Sequence, residues 1–281
     1  MKIVTAVVNN PEFIEIQYYT LKKYFKGDYE FIVFNDAKEF SDFTNDGDTT
    51  LKEQIITICN KLNITCINVE NNHHNTMNMS QRHADTFNTY VLKYQIENPD
   101  KYLLLDSDMF LVDYFDINKY SQYDCAIVLQ SRKDHQINYF WPGLCYFDFT
   151  KMKNIELLNW NCCKDCDSGG SMHEWLKLQM NDSVVPKPDD IHWKNNIHNT
   201  DTIYFIKHLC SCRWNLSELP ENIKNEKLIQ FLLHDRRNEN DTIFCEIYDN
   251  VFLHYRAGGN WMGEGLNFHK QQSTNLKDAL L

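Results

Sequence analysis

The segment Tyr102-Leu103-Leu104-Leu105-Asp106-Ser107-Asp108-Met109-Phe110-Leu111-Val112 restricts the fold more than any other part of the chain. An apolar run without polar alternation predicts a strand over Tyr102 to Leu105 covered on both faces, as in the middle of a parallel sheet. Such a strand needs a helical layer above and below it, so the chain is expected to be an α/β protein. Two carboxylates follow it directly, at the strand end where open α/β sheets place their ligands.

The preceding residues supply the layers. Strands are predicted over Lys2 to Val8, Tyr29 to Phe34 and Ile64 to Val69. A helix is predicted over Pro11 to Phe25, with Pro11 at a favourable start and Phe13, Ile14, Ile16, Leu21 and Tyr24 at helical spacing. A second helix over Thr50 to Leu62 carries Leu51, Ile55, Ile58 and Leu62 on one stripe. After Asn-rich Glu70 to Asn78, Ser80 is expected to cap a long helix reaching about Ile96. Beyond Asp106 the pattern is mixed: strands over Cys125 to Gln130, Gly143 to Phe149 and Val251 to Tyr255, and a helix over Met172 to Met180. No repeat or low-complexity linker divides the 281 residues, so one domain is expected. Phe40 to Asp48, Asn71 to Asn78 and Gln271 to Leu281 are the stretches expected to be mobile.

With 28 Lys and Arg against 39 Asp and Glu, the formal charge is −11, which excludes broad attraction to nucleic acid or an anionic membrane. An anionic small ligand must then be held locally, by a metal. No apolar stretch approaches the roughly 20 residues of a membrane span. The first apolar run stops at Asn9-Asn10, too short for a secretory signal, so a cytoplasmic location with reduced thiols is expected. Cys162, Cys163 and Cys166 with Cys210 and Cys212 could hold zinc but lack paired C-x-x-C knuckles, and buried or incidental thiols are the better reading. The abundance of Asn, Lys and Ile reads as codon bias of an AT-rich genome, of the kind found in giant viruses and protists. For a viral protein the host cytoplasm or the virion is the expected location.

Asp106 and Asp108 can reach one metal ion. A bare D-x-D is common on surfaces, but here apolar residues flank it on both sides, and an acidic pair carried into such a segment needs a cation or strong hydrogen bonds. With no cationic neighbour in sequence, the two carboxylates are expected to repel each other when metal is absent.

In this segment the chain resembles nucleotide-sugar glycosyltransferases of the GT-A fold, where a D-x-D after a hydrophobic strand holds a divalent ion against the donor diphosphate. The resemblance implies a single GT-A (Rossmann-like) domain with a mixed central sheet flanked by helices. It also implies that Asp106, with Ser107 beside it, meets ribose and metal, while Asp108 chelates the metal more fully. Val251-Phe252-Leu253-His254-Tyr255-Arg256-Ala257-Gly258-Gly259-Asn260-Trp261 is similar to the H-x-x-G-x-x-K-P-W segment of the glycogenin and lipopolysaccharide galactosyltransferase group. By that likeness His254 is the third metal ligand, although Asn260 stands where Lys is usual, Pro is absent and Trp261 comes one position early. An imidazole added to carboxylates favours Mn²⁺ over Mg²⁺, and Arg256 with the Gly258 and Gly259 amides could neutralise a diphosphate. The alternative for His254 is a hydrogen-bonded core histidine.

Asn138-Tyr139-Phe140-Trp141-Pro142-Gly143-Leu144-Cys145-Tyr146-Phe147-Asp148 looks like the N-A-G-V-x-x-F/I-D strand of the same group, with Gly143 in register for close approach of a donor sugar. Trp141 replaces the usual Asn and either stacks on a pyranose or packs in the core. In Cys166-Asp167-Ser168-Gly169-Gly170-Ser171-Met172-His173-Glu174, the amides of Gly169 and Gly170 could meet a sugar or phosphate oxygen. Asp167 is the carboxylate expected to contact donor hydroxyls or act as base, or else it caps the helix; Glu174 and Asp165 are reserves. Arg82 and His83 could pair with Asp106 or the donor, or sit in a solvated helical turn. Val8, Asn9, Asn10 and Asp36 follow the first two strands, where base and ribose normally lie, although loop polarity explains them equally well.

The resemblance implies metal-dependent transfer of a sugar (glucose, galactose or N-acetylglucosamine type) from a UDP-sugar to an unidentified acceptor hydroxyl, with Mn²⁺ or Mg²⁺ as cofactor, and leans to retention. Residues 1–112 are then the nucleotide-binding half, 113–270 the acceptor and donor-sugar half and 271–281 a tail. A glycan, protein or small molecule serves as acceptor, and a homodimer is allowed. Two rivals remain. A nucleotidyltransferase making sugar nucleotides would carry a Gly-rich basic N-terminal loop, which Val7-Val8-Asn9-Asn10-Pro11 is not. A non-catalytic carbohydrate-binding or virion protein would not need the acidic pair.

Overall fold

The computed structural model describes residues 1–70, 78–132, 137–163, 166–180, 198–209 and 214–281. Thirteen strands occur among them: β1 Lys2–Val7, β2 Phe25–Lys26, β3 Glu30–Asn35, β4 Thr65–Asn68, β5 Lys101–Leu105, β6 Met109–Leu111, β7 Phe115–Asp116, β8 Cys125–Arg132, β9 Ile137–Asp148, β10 Ile203–Phe205, β11 His208–Leu209, β12 Glu246–Tyr248 and β13 Phe252–His254. Seven form a central sheet in the order β10-β8-β9-β5-β1-β3-β4. β1 pairs in parallel with β3 and β5, whereas β9 runs antiparallel to both β5 and β8. The chain is thus a mixed α/β protein with a large central sheet flanked by helices.

The absence of polar alternation has the expected cause. Along β1 and β5, Ile3, Val7, Leu103 and Leu105 enter one core with Ile14, Leu51 and Ile55 of the helices Pro11–Tyr24 and Leu51–Leu62. Val4, Ala6, Tyr102 and Leu104 enter the opposite core, with Ala84, Phe87 and Val91. Successive side chains of a strand point to opposite faces, so both faces of these strands must be apolar.

A smaller antiparallel sheet, β11-β12-β13-β6, covers a third core built from Phe13, Phe110, Leu253, Leu228 and Leu276. β13 pairs with β6 in a register that sets His254 opposite Met109. The chain leaves the large sheet at Leu105 and joins the small one at Met109, so Asp106-Ser107-Asp108 is the hinge between two sheets.

Several expectations are corrected. Asn78, not Ser80, caps the helix beginning at Met79: its side chain accepts from the Gln81 amide at 2.9 Å. That helix passes through a π-helical stretch at Phe87–Leu92 before Lys93–Glu97. Phe40 to Asp48 is anchored: Thr44 and Asn45 are buried, and the Asn45 amide donates to the Phe40 carbonyl. Gln271 to Leu281 falls largely within the helix Leu266–Leu280, which buries His269, Ser273, Leu276, Ala279 and Leu280. Residues 71–77, Asp165, Cys210 and Cys212 lie outside the described residues. Among the described residues, the cysteines near Cys163 form no metal-ligating group of three, and no helix is long and apolar enough to cross a membrane.

Candidate metal centre and cleft

Ligand atoms of Asp106, Asp108 and His254 lie within 4.8 Å of one another, the only such group of three or more among the described residues. Local structure dictates this. The buried Gln17 amide donates to the carbonyls of Asp106 (2.7 Å) and Met109 (3.1 Å), fixing the turn between the sheets. The β6–β13 pairing then carries the His254 ring to Asp108, with Nε2 3.2 Å from Oδ1. From the loop beyond, Gly258 donates its backbone N–H to Asp108 Oδ2 at 2.7 Å.

The two carboxylates differ electrostatically. Burial and the adjacent Asp108 charge push the Asp106 carboxyl up. Burial also opposes ionisation of Asp108, but His254 and the Gly258 amide outweigh it and hold Asp108 below the usual carboxylate range. Burial lowers the affinity of His254 for a proton, yet Asp108 and Glu246 reverse this and raise it to about 10. Two carboxylates and an imidazole form the O,O,N set expected of a Mn²⁺-type site, so the residues fit a divalent ion.

These groups open onto a cavity of about 480 Å³. Val8, Asp36, Arg82, His83, Ser107, Asp167, Arg256 and Gly259 line it as well. Several of them are already engaged. Arg82 makes a bidentate pair with Asp42 at 2.9 Å for both bonds and lies 4.5 Å over the Phe43 ring, rather than meeting Asp106. Asp36 Oδ2 accepts from the Thr86 hydroxyl at 2.8 Å, and His83 Nδ1 lies 3.1 Å from Ser168 Oγ. Arg256 stands in the left-handed region with φ 68°, its Nε 3.9 Å from Glu246 Oε1.

Other expected positions are placed elsewhere. Asn9 is a buckle between loops, its amide donating to the Thr44 and Gly259 carbonyls. Asn10 donates to Ser273 Oγ at 2.8 Å. The Gly169 and Gly170 amides, expected to be free, donate to the carbonyls of Trp160 and Asp167. Gly258 serves Asp108 and has no N–H left for a diphosphate. Glu174 is exposed and pairs with His173, and Trp261 is buried in the core. A Cβ on Gly143 would fall 1.9 Å from the Trp141 ring, so the missing side chain there makes room for Trp141. That ring lines the cavity, stacks on Tyr248 and lies 4.9 Å from the His254 ring.

Sequence reasoning missed Lys38 and Glu246. Lys38 lines the cavity with a fully buried side chain; burial pulls its ammonium down to about 8, and Nζ donates to the Asp36 carbonyl at 3.3 Å. Glu246 lies directly opposite His254 in the β12–β13 hairpin. The signal was present: Asp249-Asn250 between Ile247-Tyr248 and Phe252-Leu253 is a turn between two apolar runs, and folding about it brings 246 to 254.

No protein-family model and no curated protein matches the chain. Among solved structures, the chain is similar to the galactosyltransferase LgtC in complex with donor and acceptor sugar analogs, at 14% identity over 73% of each chain, with a TM-score of 0.40. An overlap so loose carries no argument, and the functional reading rests on the residues of this chain.

Proposed function

We propose that this protein is a metal-dependent glycosyltransferase that moves a sugar from a UDP-sugar to an acceptor hydroxyl, with retention as the favoured stereochemistry. The observation that carries the reading is the convergence of Asp106, Asp108 and His254 on one point, at the end of a buried central strand and at the wall of a cavity large enough for a nucleotide sugar. These three residues would hold a divalent ion, which would supply positive charge to neutralise the departing diphosphate.

The chain's own groups do the rest. Arg256 stands beside the metal set and adds a second positive charge for the phosphates. Asp36 and Lys38, beyond the ends of β1 and β3, offer an acceptor and donors to the nucleoside, the Lys38 ammonium in a dry environment that strengthens its hydrogen bonds. Trp141 forms an aromatic wall beside His254, and Asp167 presents a carboxylate for the donor hydroxyls. The Arg82–Asp42 clamp ties the 40–48 loop to the helix bearing His83 and so defines one wall of the cleft.

The test is a panel of nucleotide sugars incubated with Mn²⁺ and no acceptor, with release of nucleoside diphosphate as readout. Hydrolysis of a UDP-sugar that stops on adding EDTA and in Asp108→Ala is the expected outcome. Turnover unaffected by EDTA, or binding of none of the donors, would overturn the proposal.

A further inference from the structure

The carboxylate of Glu246 is 5% exposed, close to the metal set yet not part of it. Its Oε2 lies 2.8 Å from His254 Nδ1, on the far side of the imidazole from Asp108, which meets Nε2. The Tyr248 hydroxyl donates to the same oxygen at 2.8 Å, and the other oxygen faces Arg256 Nε at 3.9 Å. Ionising a carboxylate in such a place costs several kcal/mol unless its partners are fixed. Here the partners are fixed by the hairpin, because Glu246 and His254 are directly opposed on β12 and β13.

From this geometry we infer that Glu246 is a positioning residue for the metal centre: it keeps the proton on His254 Nδ1, so that Nε2, which donates to Asp108 here, is the nitrogen that gives up its proton and offers a lone pair when an ion occupies the point between Asp106 and Asp108. The inference rests on the metal reading above and extends it to a residue that does not touch the ion. A carboxylate is an acceptor only, so the short contact to Nδ1 requires the proton on that nitrogen. The hydrogen bond fixes the ring plane and raises the basicity of Nε2, as outer-sphere carboxylates do for ligating histidines. Trp141 packs against the same ring and limits its rotation. The second oxygen of Glu246 gives Arg256 a counter-charge, so one side chain fixes both the imidazole and the arginine.

The experiment is titration of Mn²⁺ alone into the full chain by calorimetry and by electron paramagnetic resonance of free Mn²⁺, for wild type, Glu246→Gln, His254→Ala and the double variant, with circular dichroism to count folded molecules. Glu246→Gln is expected to weaken Mn²⁺ binding about 10- to 100-fold per folded molecule. In the His254→Ala background it should have no further effect, because the histidine through which Glu246 acts is gone. Wild-type affinity in Glu246→Gln would overturn the inference, as would an equal loss in both backgrounds, which would make Glu246 a direct electrostatic partner of the ion. If Glu246→Gln does not fold, Tyr248→Phe replaces it, removing one of the bonds that orient the carboxylate; a few-fold loss that vanishes without His254 supports the inference and no change overturns it. Failure of the metal reading itself is distinguishable, because His254→Ala alone would then bind Mn²⁺ as wild type does.

Discussion

Gly258 hydrogen bonds to the Asp108 carboxylate across 150 residues of sequence at 2.7 Å. The same aspartate, through its carbonyl, accepts the Tyr255 N–H at 2.9 Å. Asp108 therefore organises the loop that follows His254 as well as facing the point where its ligand atoms meet those of Asp106 and His254. A Cβ on Gly258 would meet Phe13 at 2.5 Å and Asp108 Cβ at 3.0 Å, so the loop seats this closely only with glycine there.

Asp106→Ala and Asp108→Ala should separate in the absence of metal. Repulsion alone would make either replacement harmless, but Asp108 is engaged by His254 and Gly258. Its removal leaves buried donors without partners and should cost about 1–3 kcal/mol. Asp106, whose ionisation is opposed by burial and by Asp108, should cost less. Urea unfolding in EDTA measures both, and equal losses would contradict the asymmetry. Neither variant should bind Mn²⁺.

Gly143→Ala should disturb the metal centre without touching it. The added methyl displaces the Trp141 ring, which packs against His254. Overpacking of this kind costs about 1–3 kcal/mol. Weakened Mn²⁺ binding together with a shift in tryptophan emission is expected; wild-type affinity would show that Trp141 does not support His254.

His269 makes stability fall in acid. It is buried, its Nδ1 3.1 Å from the Tyr255 hydroxyl, and burial with the nearby Arg237 charge lowers its proton affinity to about 4 from an ordinary 6.5. The unfolded chain takes up a proton at higher pH than the folded one, so stability rises with pH across this range. The contribution is complete above pH 6.5 and lost as pH falls through 4, on the order of 2–3 kcal/mol. His269→Phe should flatten this part of the stability profile; an unchanged slope would remove His269 as its origin.

If the proposed function holds, Mn²⁺ and UDP together should raise the melting temperature by more than the sum of their separate shifts, because each would complete the other's coordination at the Asp106, Asp108 and His254 set. Additive shifts, or shifts that persist in EDTA, would break the link between metal and nucleotide.

The sheet core was legible because its signal is local. The short apolar run Leu103 to Leu105, ended by Asp106, reads as a two-sided strand, and Pro11 and the Phe13–Leu21 spacing mark a helix without reference to the rest of the chain. The helix Leu266–Leu280 was misread because its apolar positions are sparse. Two of its five buried residues are His269 and Ser273, polar side chains made tolerable by Tyr255 and Asn10, which sequence cannot show to be near. Site residues divide in the same way. Asp106 and Asp108 announce themselves by standing inside an apolar run, whereas Glu246 is marked only indirectly, by the Asp249-Asn250 turn that pairs it with His254, and Lys38 acquires meaning only when the loop after β3 brings it to the cleft. The glycines mislead in the opposite sense: Gly143, Gly169 and Gly170 suggest room for a ligand, but the space is taken by Trp141, the Phe140 carbonyl and Cys166.

The helix Leu266–Leu280 lies against Pro11–Tyr24, joined by Lys277 to Glu15 at 2.6 Å, Asn10 to Ser273 and Lys23 to the Leu280 carbonyl. This closure sets an order of events during synthesis. The face of Pro11–Tyr24 bearing Phe13 and Ile16 emerges early but meets Leu276 and Leu280 only after some 250 further residues have been made, at rates of about 5–20 residues per second. Phe110 of β6 covers part of this face once it is made, and the rest stays exposed until the last helix arrives, a partly covered apolar surface of the kind that favours aggregation. Expression at lower temperature or with added chaperone should therefore raise the soluble yield by slowing or shielding this stage, while leaving the stability of the finished protein unchanged.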